Sequence, residues 1–166
     1  MGKFLSLPIL LIAAALQASF VPQIRLLGGG PDLVFLLVIA WSINAELDDS
    51  IVWAFVGGIA QDLLSAAPTG TSVLGMLIII FAVSGLGRQV YRIGIVILVG
   101  LVLGGTLLQQ VIEMVIIWLV GFEVNWLVDF AYIVAPTMFY NLLLILPVYW
   151  FVRRIQRRYL PDPGTS

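Results

Sequence analysis

The fold this sequence predicts is an all-α integral membrane bundle of six transmembrane helices, and three observations lead there. Of the 166 residues, 61% are apolar and only 10% charged, and mean hydropathy is +1.12, whereas soluble domains carry roughly 25% charged residues. The charges fall into short gaps between apolar runs, as the cost of placing a charge in hydrocarbon demands of a chain that crosses a bilayer. Basic residues also sort to one face once six crossings are drawn. Lys3, Arg88, Arg92, Arg153, Arg154, Arg157 and Arg158 then share one side and Arg25 alone takes the other, which the positive-inside rule reads as two cytoplasmic termini.

The first run, Phe4 to Val21, follows Lys3 and contains Ala13, Ala14, Ala15 and Ala18. It exceeds a signal-peptide apolar core, and Phe20-Val21-Pro22 makes a poor cleavage site, so it reads as a retained span. The second, Asp32 to Asn44, is short for a crossing at about 1.5 Å per residue. It is expected to extend to Glu46, giving a span of 32–46, or to thin the bilayer. The third runs from Ser50 to Ala66 and the fourth from Thr71 to Gly87. The fifth, Ile93 to Val120, is long enough to tilt or protrude. The sixth, Tyr132 to Val152, carries Pro136 and Pro147 and is expected to be kinked. Together they make one transmembrane domain over residues 1–160, with 161–166 a short disordered tail.

Between the runs lie the acidic turn Glu46, Asp48 and Asp49 on the cytoplasmic side, and three connections on the other. These are Pro22 to Pro31 with Gly28, Gly29 and Gly30, then Ala67 to Gly70, then Gly121 to Ala131. The last is amphipathic and is expected to lie along the interface with Trp126 at headgroup depth.

Polar residues inside the runs are the candidate sites. Asp62 follows Gly58 by four residues, with Gln61 beside it, so Gly58 and Asp62 share a helical face. An intramembrane acid is by default a functional hypothesis, but packing glue is the first reading here and ion or substrate chemistry the second. As glue, Asp62→Asn should be tolerated and Asp62→Leu should cost on the order of 1 kcal/mol. As an ion ligand, Asn should fail nearly as badly as Leu. Gln109 and Glu113 share another face, with Gln110 adjacent, forming a polar stripe that lines a cavity, meets a partner helix or sits near headgroups. Asn141 reads first as an interhelical hydrogen bond and second as a ligand contact. Gly100 and Gly104 have the G-x-x-x-G spacing of close helix crossings, read first as intramolecular packing and second as a dimer seam. The terminal arginines read as a topology anchor before a lipid-binding cluster.

Several function classes fall away on composition. The chain has no histidine and no cysteine, which removes the commonest general base, the commonest zinc ligand and any thiolate or disulfide chemistry. The nine acidic residues form no cluster of the kind a metal-dependent lipid phosphotransferase presents. No basic patch points to nucleic acid. No enzyme, metal or cofactor is expected.

In order along the chain, Pro31-Asp32-Leu33 opens the second run and Gly58-x-x-x-Asp62 is followed by Pro68-Thr69-Gly70. Tyr140-Asn141 and Pro147 stand in the last run before Arg153-Arg154. With these motifs the chain resembles the MreD family of bacterial rod shape-determining membrane proteins over nearly its full length. The resemblance implies a non-enzymatic component of the cell-elongation machinery in the cytoplasmic (inner) membrane. It also implies binding to MreC, a bitopic protein with a periplasmic domain, and through it a link to MreB, RodA, a class B penicillin-binding protein and peripheral peptidoglycan synthesis. The family is similar in fold to the substrate-binding subunits of energy-coupling-factor transporters. That makes a vitamin-type transport subunit the alternative, one requiring an outward-facing cavity with converging polar groups from among Gln17, Asp62, Gln109, Gln110, Glu113 and Asn141.

Overall fold

The computed structural model describes residues 2–65, 68–87 and 94–159, so Arg88, Arg92 and the tail expected at 161–166 lie outside the described residues. Its elements are α1 (Gly2–Ile24), α2 (Leu33–Ser42), α3 (Leu47–Leu64), α4 (Thr71–Gly87), α5 (Ile95–Leu119), a single turn α6 (Trp126–Asp129), a π-helical turn (Phe130–Val134) and α7 (Ala135–Tyr159). By length and composition three helical segments can cross a membrane: Ser6–Ile24, Ile95–Leu119 and Trp126–Tyr159. Helices α2 and α4 are apolar but shorter, and α3 carries Asp48, Asp49, Ser50, Gln61 and Asp62 in a sequence that is apolar between them.

The second run corrects the expectation set for it. It does not extend to Glu46: α2 is 10 residues, about 15 Å at the helical rise, and the chain turns at Ser42. It avoids the mismatch by not facing lipid. All residues from Val34 to Ser42 are buried, and α2 packs against α1, α3, α4 and α7. A helix that is apolar all round belongs in the middle of a bundle, and this one is ringed by longer neighbours. At its C-terminal end, Trp41 stacks on Trp53 of α3 with centroids 4.0 Å apart and planes at 11°. Gln156 of α7 donates to the Trp41 carbonyl at 2.9 Å, adding a second donor to a helix-end acceptor that also takes Asn44 N–H at 3.3 Å.

The sixth run is longer than expected. Helical conformation begins at Trp126, six residues before Tyr132, because Asn125 caps this segment by accepting from Val128 N–H at 3.4 Å. So the connection Gly121 to Ala131 is partly helix. Trp126, Leu127 and Phe122 remain exposed, consistent with an interfacial segment. The irregularity falls near Pro136 rather than being spread along the helix. Proline has no N–H to give the carbonyl four residues back, which is that of Tyr132. The turn widens, Ala135 N–H bonding to Phe130, and the Tyr132 carbonyl instead accepts Gly28 N–H at 2.9 Å. The loop between α1 and α2 is thereby fastened to the head of α7. At Gly29 a side chain would collide with Thr137, its Cβ falling 2.8 Å from Oγ1 and 2.9 Å from the backbone nitrogen, so the close docking requires glycine. Tyr140 adds a hydrogen bond from its hydroxyl to the Ile24 carbonyl.

Candidate functional site

Because α2 starts well inside the bundle, the space beyond its first turn is closed by other elements, and polar side chains gather there. Asp32 caps α2: Oδ1 accepts Phe35 N–H at 3.0 Å. Oδ2 accepts from Gln61 of α3 at 2.9 Å and from Gln109 of α5 at 3.4 Å. The Asp32 N–H donates to Asn141 Oδ1 of α7 at 2.9 Å, and Asn141 Nδ2 donates to Thr106 Oγ1 of α5 at 3.0 Å. Gln17 of α1 accepts Val34 N–H at 3.1 Å. Orphan amides at the head of α2 are thus met by side chains from its neighbours. Asp32, Thr106, Gln109 and Asn141 are all buried, and the network is only partly satisfied, since Gln61 Oε1 and Gln109 Oε1 are buried without a partner, a costly arrangement in such surroundings.

Asp62 lies apart from this network. Its two oxygens accept Gly70 N–H at 2.7 Å and Ser72 N–H at 3.1 Å, so it caps α4 across the turn that joins α3 to α4. Its partners are backbone amides rather than side chains of another helix. Gly58 stands one turn earlier on the same face. A Cβ there would lie 2.6 Å from Val73 Cα, so the missing side chain lets α4 approach. Pro68 and Gly70 shape the turn: Thr71 N–H and Oγ1 return to the Pro68 carbonyl at 3.3 and 2.7 Å, and Gly70 has a φ of 102°, a conformation that glycine adopts without strain.

Gly100 and Gly104 correct a second expectation. They do not pack inside the protein: a Cβ at either would meet nothing within 4 Å. It is Gly105, one residue on, that faces the core, its Cβ position 2.9 Å from Phe35.

Beyond Asp32 opens a cavity of about 430 Å³, bordered by Gln17 and Arg25 on the α1 side, Gln61 of α3, and Gln110 and Glu113 of α5. Of the polar residues singled out from sequence, it gathers Gln17, Gln61, Gln110 and Glu113 along with Asp32. It leaves out Asp62, Gln109 and Asn141. The residues that sequence reasoning missed are Thr106 and Thr137. Thr106, Gln109, Gln110 and Glu113 recur at helical spacing on one face, and that periodicity was the available signal for Thr106. Among the described residues no three carboxylates gather to hold a metal ion.

Fold and site together define an all-helical, membrane-type bundle built around a buried central helix, with a polar cavity at one end. The family profile described as rod shape-determining protein MreD matches residues 1–159. The chain belongs to the MreD family. No curated protein matches it. No solved structure matches either, and nothing in the comparisons shows the expected likeness to transporter substrate-binding subunits.

Proposed function

We propose that this chain is a non-enzymatic scaffold of the bacterial cell-elongation machinery, seated in the cytoplasmic membrane with six spans and both termini inside. It binds the single transmembrane helix of MreC and so supports rod shape through peripheral peptidoglycan synthesis. Family membership across residues 1–159 carries this reading. RodA, the class B penicillin-binding protein and MreB are reached indirectly, through MreC.

The surface supplies a seat for such a helix. Of the two glycine-bearing faces that the sequence offers, the one at Gly58 is filled by α4, which leaves the α5 face. There Val96, Gly100, Gly104, Leu107, Leu108 and Val111 are exposed at helical spacing. Two glycines one turn apart admit a neighbouring backbone, and in lipid close packing of this kind supplies much of the association energy.

The test is co-purification from mild detergent. MreC should stay with the wild-type chain and dissociate from Gly104→Leu, which fills an open surface and should leave thermal unfolding unchanged. If MreC leaves the folded wild type, the scaffold reading fails. If it stays on Gly104→Leu, the α5 face is not the seat.

A further inference from the structure

We propose that the cavity beyond Asp32 holds a zwitterionic ligand pairing an ammonium with a phosphate, the ammonium toward Glu113 and the phosphate toward Arg25. The space exists because α2 is too short to fill the bundle, and at about 430 Å³ it has the size of small-molecule sites. Its lining is asymmetric in charge. Asp32 and Glu113 supply carboxyl groups, and Arg25, exposed at the loop that follows α1, supplies the positive one.

The acids are not equivalent. Asp32 is occupied by three N–H donors, from Phe35, Gln61 and Gln109. Glu113 has no hydrogen-bond or ion-pair partner among the described residues, although it lines the cavity and lies within electrostatic reach of Asp32 and Arg25. Gln61 is turned so that Nε2 meets Asp32, which leaves its Oε1 buried without a partner and out of reach of the cavity. Among the described residues the cavity therefore presents one unused carboxyl group inside, that of Glu113, and an unused guanidinium at the rim.

Ligand classes sort on this arrangement. A bare anion would meet two carboxyl groups. A divalent cation would find fewer than three acidic ligands, against the six or more oxygens that hard cations gather, and would leave Arg25 unmatched. An ammonium brings donors and a charge to the Glu113 carboxyl group, and a phosphate suits the planar fork of Arg25. Two sources carry this chemistry: the headgroup of phosphatidylethanolamine from the adjoining leaflet, and a free phosphoamine from the aqueous side.

The experiment uses the full-length chain, delipidated in detergent and then exchanged into nanodiscs of phosphatidylethanolamine, of phosphatidylglycerol or of both. Bound lipid is read by native mass spectrometry, and binding of soluble glycerophosphoethanolamine by thermal shift. Retention of phosphatidylethanolamine at least about tenfold over phosphatidylglycerol assigns the site to the lipid. Saturable stabilisation by glycerophosphoethanolamine without retained lipid assigns it to the free phosphoamine. Glu113→Gln and Arg25→Gln should each reduce the preference roughly tenfold, while Glu123→Gln, on an exposed loop, should not. Ala18→Phe fills the cavity from an exposed position without altering a charge, and should displace the ligand even if Glu113→Gln does not fold. The proposal is overturned if neither probe binds, if both lipids bind equally, or if binding survives both Glu113→Gln and Ala18→Phe.

Discussion

Replacing Asp62 tests the α3–α4 corner, and the structure changes what its amide variant should do. With one hydrogen bond to replace, Asn would serve almost as well as Asp, which is the expectation from sequence. Here both oxygens are used, on Gly70 N–H at 2.7 Å and Ser72 N–H at 3.1 Å. An asparagine offers one oxygen and one NH₂, so it can satisfy one amide but must turn a donor toward the other. That leaves one helix-terminal N–H unpaired, at about 1–3 kcal/mol, and removes a charge that favours the N-terminus of α4, at about 0.3–1 kcal/mol. Interhelical hydrogen bonds in membranes lie toward the lower end of such ranges, so Asp62→Asn should cost about 1–3 kcal/mol. Asp62→Leu orphans both amides and should cost about 2–5 kcal/mol. The chain has no native thiol, so Ser50→Cys, at a buried position, gives a single reporter whose labelling rate in denaturant titrations reads opening of the bundle. The expected order of stability is Asp, then Asn, then Leu, with Asn between the extremes. An Asn variant equal to Asp would refute the two-acceptor argument, and a Leu variant equal to Asp would refute the cap altogether.

Gly58→Ala places a methyl group 2.6 Å from Val73 Cα and should destabilise by about 1–3 kcal/mol through overpacking, measured in the same titration. Gly100→Ala, with open space around it, should stay within about 0.5 kcal/mol of wild type, as surface substitutions do. Asn141→Leu removes the acceptor of Asp32 N–H and the donor to Thr106 and should cost about 1–3 kcal/mol, detectable as a lower unfolding midpoint in detergent. For topology, Leu27→Cys and Thr69→Cys, both at exposed positions, should react with a membrane-impermeant thiol reagent in intact cells while Arg157→Cys is protected. Labelling of Arg157→Cys would invert the proposed orientation.

Much of the helical framework was legible because desolvation writes it directly into the sequence. Apolar runs of spanning length separated by charges leave few alternatives, and α1, α4 and α5 coincide with such runs to within a few residues. Run length alone does not say which helix faces lipid. The second run reads as a defective span when every run is assumed to border the bilayer. Its uniform apolarity, with no polar stripe to mark an outer face, was the signal that it is central. The Pro31-Asp32 pair was legible as a helix start. That three further helices would send Gln61, Gln109 and Asn141 to that same point was not, because convergence of residues 29 to 109 positions apart in sequence is a property of packing and leaves no local trace.

The glycines show the same limit from the other side. Gly58 and Gly104 look alike in sequence, each one turn from another notable residue on an apolar helix, yet one is filled by α4 and the other faces open space. Both placements follow from what each helix must satisfy. The face that carries Gly58 also carries Asp62, whose carboxyl group needs donors, and the unpaired amides at the head of α4 need an acceptor. Meeting both needs draws α4 onto that face. The face that carries Gly100 and Gly104 holds no group requiring a partner, since the polar residues of α5, Thr106, Gln109 and Glu113, project toward the network and cavity. Nothing within the chain is drawn to the glycine face, so a second chain can occupy it without displacing an internal contact. On this argument, moving an acid onto that face by Gly104→Asp should not recruit an internal helix. It should leave a carboxyl group exposed to hydrocarbon, reduce membrane insertion by the roughly 2.5–3.5 kcal/mol that such a residue costs at mid-helix, and abolish MreC binding. Insertion at wild-type level would show that the face is already screened by protein, and the assignment of an open seat there would fail.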